Sequence, residues 1–247
     1  KYPFPEEFNR QLTGKIADYH FAPTTLSQKN LLQENINNNN IIITGNTVID
    51  ALLFGIEKVN SINFKDNEIE NLKEILDFNK KIILVTGHRR ENHGDGFVRI
   101  CEALKEISIS EPEKLIIYPV HLNPKVQKPV NNILSGLKNV LLINPLSYKD
   151  FVWLMNRAKI IITDSGGIQE EAPSLGKPVL VMRDTTERPE AVDSGTAVLV
   201  GTNKELIISE VLDLLNNESR YKKMGQLHNP YGKGKACKLI VDFIKEL

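Results

Sequence analysis

The chain has 247 residues, 41% of them hydrophobic and 25% charged, which is typical of a globular protein with one large or two modest domains. Its 31 basic residues (Lys and Arg) balance its 31 acidic residues, so its net charge favours neither a nucleic-acid partner nor an anionic membrane surface. No apolar run approaches the ~20 residues of a membrane-spanning helix and no signal peptide is visible, so we expect a cytoplasmic protein. Its two cysteines, Cys101 and Cys237, lie in helical patterns and are expected to be reduced thiols that pack inside the fold.

Residues 1–60 alternate between helical and strand patterns but contain few strands. The predicted elements are a helix that begins at Pro5, a short strand within 17–23, a helix over 25–35, a polar loop at 37–40, a strand and turn over 41–46 and a helix over 47–60. Because so few strands cannot form a complete sheet, this part predicts the carboxyl-terminal remnant of a larger domain. The chain begins at Lys1 without a methionine, and we expect a segment before it.

Residues 61–228 alternate regularly between strand and helix after a candidate hinge at 60–66, which predicts a complete doubly wound domain with a parallel sheet. Strands are expected at 81–86, 115–120, 140–143, 160–163, 179–182 and 197–200. Helices are expected at 70–78, about 94–108, 124–135, 147–157, 166–174, 188–194 and 203–215. A last helix near 233–246, within a closing segment 229–247, is expected to pack back toward the first domain.

The clearest functional pattern is the sequence DSGGIQEE at 164–171, which follows a buried strand and opens a helix. The adjacent glycines Gly166 and Gly167 let the backbone approach a ligand, and the free N–H groups at the start of a helix favour phosphate. The Ser165 hydroxyl suits phosphate oxygens, and a carboxylate on the helix suits ribose hydroxyls. The pattern predicts a nucleotide site at the carboxyl edge of the sheet, although a glycine-rich turn without a ligand has the same local sequence.

Three further polar loops follow strands of the same predicted sheet: GHRRENHG at 87–94, YPVHLNP at 118–124 and RDTTERPE at 183–190. Arginine can grip phosphate with two hydrogen bonds, and an imidazole can manage a proton, so the first loop suits a nucleotide diphosphate. The first loop could also be a solvated basic loop, and a lone histidine such as that of the second loop is more often structural than catalytic. Four polar loops at the same edge of the sheet together favour a ligand-binding site there.

The remaining residues and motifs give less information about function. His93 and His228 are expected at the surface, and Trp153 and Phe151 are expected as core or base-stacking aromatics. The sequence has no GxSxG elbow, no CxxC pair, no HExxH and no Walker lysine motif, and it has no metal ligands at a suitable spacing. We therefore expect no metal.

These four loops, with PEExNR at 5–10 and TGNTVID at 44–50, resemble the bacterial non-hydrolysing UDP-N-acetylglucosamine 2-epimerases over essentially the whole chain. The resemblance implies an α/β fold of two Rossmann-like domains that face a cleft, as in GT-B glycosyltransferases, with the first domain only partly present here. It implies that UDP-GlcNAc and UDP-ManNAc are interconverted by elimination of UDP and re-addition with inversion at C2, for cell-envelope polysaccharide synthesis. It also implies a homodimer and no cofactor, because nothing is oxidised.

The resemblance also assigns residues position by position. It implies that Glu6 and His88 are catalytic. It implies contacts with UDP or the sugar for Arg10, Phe151, Ser165, Gly166, Gly167, Glu171 and Arg188. It implies a second, activating substrate site at Arg89, Glu91 and His121.

The chain departs from the family at its start. The family begins with roughly a hundred further residues, most of a small domain, which carry two more catalytic carboxylates. We therefore expect this polypeptide alone to bind UDP weakly and not to epimerise. A GT-B glycosyltransferase remains an alternative because it shares the Gly-Gly turn and the ribose carboxylate, although HRRE at 88–91 combined with PEE at 5–7 is not typical of transferases. A UDP-binding regulatory fragment and a relative that hydrolyses the nucleotide sugar also remain open.

Overall fold

A computed structural model describes residues 4–61, 63–77 and 79–247. The helices are α1 (Glu6–Ile16), α2 (Thr25–Gln33), α3 (Thr47–Val59), α4 (Asn67–Ile75), α5 (Asp95–Ser110), α6 (Pro124–Leu134), α7 (Tyr148–Arg157), α8 (Gly166–Glu171), α9 (Pro189–Asp193), α10 (Lys204–Asn216), α11 (Glu218–Gln226) and α12 (Ala236–Lys245). The strands are β1 (His20–Ala22), β2 (Ile41–Ile43), β3 (Lys81–Thr86), β4 (Lys114–Pro119), β5 (Val140–Ile143), β6 (Ala158–Thr163), β7 (Val179–Val181) and β8 (Ala197–Leu199).

The chain divides into two compact units, one made of residues 1–51 and 230–247 and the other of residues 52–229. The division falls inside α3, whereas the sequence analysis assigned all of 1–60 to the first domain. Leu52 is fully buried, and a methyl group placed at Gly55 would lie 3.8 Å from the Val152 side chain of α7. The second half of α3 therefore packs as part of the larger unit.

The smaller unit is built on a parallel pair of strands, in which His20 of β1 is paired with Ile41 of β2. The last helix, α12, packs against this pair through Phe243. The Phe243 ring meets the rings of Tyr19 and Phe21 edge-on, with ring centroids 5.1 and 5.7 Å apart. Chain segments from both ends of the sequence thus share one small core.

The first turn of α12 is also held by a side chain from α3. The Asp50 carboxylate accepts hydrogen bonds from the backbone N–H groups of Ala236 and Cys237, each at 3.1 Å. A carboxylate at this position satisfies N–H groups that have no partner within their own helix. Asp50 therefore fixes where the closing helix begins.

Within residues 79–229 of the larger unit, six parallel strands form one sheet in the order β5-β4-β3-β6-β7-β8. Its central strands are almost wholly apolar, and Ile160, Ile161 and Ile162 of β6 are fully buried. Strands buried on both faces need such continuous apolar runs. From β3 the chain adds β4 and β5 on one side of the sheet and then β6, β7 and β8 on the other. The direction of strand addition therefore reverses between β3 and β6. Open α/β sheets bind ligands beyond the carboxyl ends of the strands at such a point.

The predicted strands of this sheet are all confirmed, each within two residues of its expected limits. The helix expected over 70–78 spans Asn67–Ile75 instead, because the Asp66 side chain accepts from the N–H groups of Glu68 and Ile69 and starts the helix earlier. Residue 78 lies outside the described residues. The helix α11 was not predicted, because its sequence is strongly polar and only Met224 in it is buried.

Three expectations about single residues and short runs change. Cys101 is buried, but Cys237 is exposed and does not pack in a core. His93 is half-buried rather than a surface residue, because its ring packs near Phe97 with centroids 5.9 Å apart, whereas His228 is exposed as expected. The run 37–40 contains a short 3₁₀ turn, in which the Asn37 side chain accepts from the N–H of Asn39.

The two thiols are expected to differ sharply in reactivity. Burial raises the pKa of Cys101 to about 12, so it is both inaccessible and protonated at neutral pH. We expect Ellman's reagent to label one thiol per native chain and two in guanidinium chloride. A Cys237→Ser variant should show none in the native state, and rapid labelling of both thiols in native protein would contradict the buried position of Cys101.

Candidate functional site

The carboxyl edge of the larger sheet is organised by Asp164, which follows β6 and is fully buried. Its Oδ2 atom accepts hydrogen bonds from the backbone N–H groups of His88 and Arg89, both at 2.8 Å. Its Oδ1 atom has no hydrogen-bond partner among the described residues and lies 3.4 Å from Nδ1 of His88. Asp164 therefore fixes both the backbone and the imidazole of the loop after β3. The sequence analysis did not single it out, although an acid between a buried strand and a Gly-Gly pair is the available signal.

Further polar bonds join the loops after β3, β6 and β7. The hydroxyl of Thr163 lies 2.7 Å from the hydroxyl of Thr86 and accepts from the N–H of Ser165 at 3.0 Å. The buried Asn92 side chain donates to the carbonyl of Met182 at 3.0 Å. Because buried polar groups fully paired in this way hold one geometry, the three loops are preorganised.

The turn at 165–167 forms a concave surface that suits an anion. Ser165 precedes the first turn of α8 and its side chain makes no capping bond, so its hydroxyl and the nearby N–H groups are available to a ligand. A methyl group placed at Gly166 would lie 3.9 Å from Nη2 of Arg89 and from Nη2 of Arg188. Two guanidinium groups thus stand over a glycine turn, which matches the chemistry of phosphate recognition.

Both of these arginines are held by acidic side chains. Arg188 donates from Nε to the carboxylate of Glu170, which is buried, and its backbone N–H donates to the hydroxyl of Thr186 at 3.0 Å. Arg89 lies 3.7 Å from the carboxylate of Glu187. These ion pairs restrict the orientation of the two guanidinium groups. The groups are still accessible to a ligand, because the side chains of Arg89 and Arg188 are 34% and 35% exposed.

A third arginine, Arg183, is buried and carries a structural ion-pair network. It donates from Nε to Glu91 at 2.7 Å and from its two terminal nitrogens to Glu187. The hydrogen bond from Arg183 lowers the pKa of Glu187 to about 2. Arg183 thus links Glu91 to the acid that faces Arg89.

The predicted second-site residues lie at the same edge. His121 stacks on His88, with ring centroids 5.5 Å apart and an interplanar angle of 18°. Glu91 borders a pocket of about 470 Å³. The other residues that line this pocket are Asn92, His93, Asp95, Gly96, Arg99, Asp184, Thr185 and Thr202. Arg89, Glu91 and His121 are therefore each in contact with the network that holds the glycine turn.

Glu171 lies at the end of α8 and is 6% exposed. Its Oε1 atom accepts a hydrogen bond from the Tyr148 hydroxyl at 2.6 Å. Burial raises the pKa of the Glu171 carboxyl, while the bond from Tyr148 favours its ionised form. Phe151 is half-buried one turn after Tyr148 in α7, and Trp153 is a core residue, 1% exposed.

The two remaining predicted residues, Glu6 and Arg10, belong to the smaller unit. Glu6 is exposed in the first turn of α1. Arg10 donates to Glu7 at 2.8 Å and to Glu34 across to the segment that follows α2. In this structure the Arg10 guanidinium is therefore engaged by two carboxylates of its own unit.

Two kinds of feature are absent from the described residues. In residues 4–61, 63–77 and 79–247, no group of three or more His, Cys, Asp and Glu side chains is arranged to hold a metal ion. Over the same ranges, no helix combines the length and the apolar character needed to span a bilayer.

Comparison with known proteins decides the family. The family model for UDP-N-acetylglucosamine 2-epimerase matches residues 1–245. This chain belongs to the UDP-N-acetylglucosamine 2-epimerase family. UDP-N-acetylglucosamine 2-epimerases of Yersinia pestis and Escherichia coli O157:H7 are 59% and 58% identical to it, each over 98% of this chain and 65% of the relative. The chain thus spans less than two thirds of the length of these epimerases.

A solved epimerase structure extends the agreement to the fold. The crystal structure of UDP-GlcNAc 2-epimerase from Neisseria meningitidis bound to UDP-GlcNAc matches with a TM-score of 0.90 and 48% identity. The match covers 99% of this chain and 66% of that one. The predicted α/β class with parallel sheets is confirmed, and the fold is that of the GT-B-like epimerases.

Removal of the Asp164 carboxylate should destabilise the larger unit. In an Asp164→Ala variant two backbone N–H groups lose a fully buried acceptor, and we expect the free energy of unfolding in urea to fall by about 2–4 kcal/mol. Asp164→Asn keeps an acceptor oxygen of the same shape and should recover most of this loss. Asp193→Ala, a change at an exposed acid of α9, should cost no more than about 0.5 kcal/mol. Equal losses in the Asp164→Ala and Asp193→Ala variants would refute the role assigned to Asp164.

Proposed function

We propose that the whole protein interconverts UDP-GlcNAc and UDP-ManNAc, and that this chain carries its UDP-binding part. The observation that carries the proposal is the position of Arg89 and Arg188 over the Gly166 turn, beside the Ser165 hydroxyl. A diphosphate has two negative groups, which the turn N–H groups and the two guanidinium groups match in sign and geometry. The family relationship supports the same reading.

The remainder of the nucleotide is assigned to neighbouring side chains. Glu171 is a carboxylate held on the helix that follows the turn, and a carboxylate suits the hydroxyl groups of ribose. Phe151 offers an aromatic face on α7 for the uracil ring. Arg10 is a further proposed substrate contact, which requires that its pairs with Glu7 and Glu34 open when substrate binds.

His88 is proposed to act on the leaving group. Because its Nδ1 faces the Asp164 carboxylate, the other ring nitrogen, Nε2, is left for the ligand. A cationic or donating imidazole beside the diphosphate stabilises the charge that develops as UDP departs. Asp164 thus orients the ring, and His121, stacked on it, restricts its rotation.

The proposed reaction needs no redox cofactor. A carboxylate base takes the proton from C2, the C1–O bond to UDP breaks and its electron pair leaves with the phosphate oxygen, which gives a glycal with a C1–C2 double bond. A proton then returns to C2 from the opposite face, and the UDP oxygen rejoins C1. Glu6 is proposed as one of the acid–base carboxylates, and the others are proposed to lie in the part of the family's length that this chain does not span.

The proposal extends to regulation, assembly and location. The contact of His121 with His88, and of Glu91 with Arg183, supports a second, activating UDP-GlcNAc site close to the first. A homodimer that acts in the cytoplasm for cell-envelope polysaccharide synthesis follows from the family resemblance alone. Sedimentation of the whole protein would test the dimer.

Calorimetric titration of the 247-residue chain with UDP tests the site directly. A Gly166→Ala variant should bind UDP at least tenfold more weakly, because the added methyl group occupies the space between the turn and the two arginines. The methyl group meets nothing closer than 3.9 Å, so the fold should be kept. Gly55→Ala in α3 is the matched control, since its methyl group also has only ordinary contacts. Equal affinity of all three proteins for UDP would overturn the assignment of the turn.

The reaction itself is tested on the whole protein by incubation with UDP-GlcNAc and no acceptor, with the products read by NMR. We expect UDP-ManNAc. If UDP-GlcNAc stays unchanged until a sugar acceptor is added and is consumed only then, the protein is a glycosyltransferase. Free ManNAc with UDP would indicate a hydrolysing relative. The 247-residue chain, as the matched comparison, should bind UDP without producing UDP-ManNAc.

A further inference from the structure

The carboxylate of Glu171 is bonded asymmetrically. Its Oε1 atom accepts from the Tyr148 hydroxyl at 2.6 Å, whereas its Oε2 atom has no hydrogen-bond partner in the described part of the chain. Glu171 is 6% exposed, and its Oε2 atom is not one of the buried side-chain atoms that lack a partner, so this oxygen keeps contact with solvent. A nucleotide bound over this opening would exclude water from Oε2, and a ligand hydroxyl directed at Oε2 would replace the lost hydrogen bond.

Tyr148 is well placed to act on the nucleoside. It is the first residue of α7, and Phe151 follows it by three residues, which puts the two aromatic rings on neighbouring positions of one helix face. Tyr148 is 50% exposed, so its ring borders open space even though its hydroxyl is bonded. The tyrosine therefore lies between the proposed uracil-binding ring and the proposed ribose carboxylate.

The amino end of α7 is anchored on both sides of Tyr148. The hydroxyl of Ser147 bonds to the carboxylate of Asp150 at 2.5 Å, and Lys149 pairs with Asp66, the residue that caps α4. A tyrosine has only two side-chain torsions to fix, so an anchored backbone and one strong hydrogen bond leave its hydroxyl little freedom. The Tyr148–Glu171 pair is thus a preorganised element.

We propose that Tyr148 is a positioning residue that makes the nucleotide site selective for ribose. Its hydroxyl occupies Oε1 of Glu171 and turns Oε2 toward the ligand as the acceptor for one ribose hydroxyl. This inference rests on the proposed UDP site and adds a residue and a specificity to it. Nucleotides without that hydroxyl leave Oε2 unpaired and bind more weakly, because a buried acceptor that loses its donor costs more than the bond itself contributes.

The test compares UDP with 2′-deoxy-UDP and 3′-deoxy-UDP by calorimetry, on wild type and on Tyr148→Phe. Wild type should prefer UDP over one of the two deoxy analogues by roughly tenfold or more, which identifies the hydroxyl that Glu171 binds. Tyr148→Phe should lose roughly tenfold in affinity for UDP and little for that analogue, so the preference shrinks toward one. Tyr221→Phe, on α11, is the matched control and should keep both affinities.

A second background separates positioning from packing. In a Glu171→Gln variant the preference for UDP should already be small, and adding Tyr148→Phe should change it little. If Tyr148→Phe weakens UDP and both deoxy analogues equally, or costs as much in the Glu171→Gln background, Tyr148 acts through the fold and the inference is overturned. If wild type itself does not bind UDP, the proposed function fails, and this inference fails with it. Those two results are distinguished by the wild-type titration alone.

Discussion

The site depends on one buried carboxylate, that of Asp164, which accepts hydrogen bonds from two backbone N–H groups. It joins the loop after β3 to the turn after β6 at the point where the strand order reverses. Both bonds are charge-assisted and their acceptor is fully buried, which strengthens them. It brings the His88 and Arg89 backbone to the edge of the Gly166 turn, and so places two of the side chains proposed to contact the diphosphate.

Pairing of charges at this edge decides which cations are available to a ligand. Arg183 is buried and donates its hydrogen bonds to Glu91 and Glu187, so its role is structural. Arg89 and Arg188 each face one acid but remain a third exposed above the turn. Acids thus set the direction of the guanidinium groups, and the turn that lies between them concentrates positive potential where a diphosphate would lie.

Local sequence patterns predicted the strands of the larger sheet because a buried parallel strand must be continuously apolar, as 160–162 is. They also predicted the turn and helix at 165–171, since the local geometry is encoded in adjacent residues. They did not predict α11, whose polar sequence has no apolar face to recognise, or the exposure of Cys237. The roles of Asp164 and Tyr148 come from contacts with residues far away in sequence, His88 and Glu171, and such contacts exist only once the sheet order and the placement of α7 are known.

The central claim is that the turn at 165–167 binds the diphosphate. Titration of uniformly ¹⁵N-labelled chain with UDP, followed by amide chemical shifts, tests it most directly. The account predicts that the amides of Gly166 and Gly167 shift most, together with those of His88 and Arg89, while the amide of Gly55 does not move. Uridine without phosphate should leave the two turn glycines nearly unchanged. Saturable shifts confined to other parts of the chain, with the glycine amides unmoved, would contradict the account.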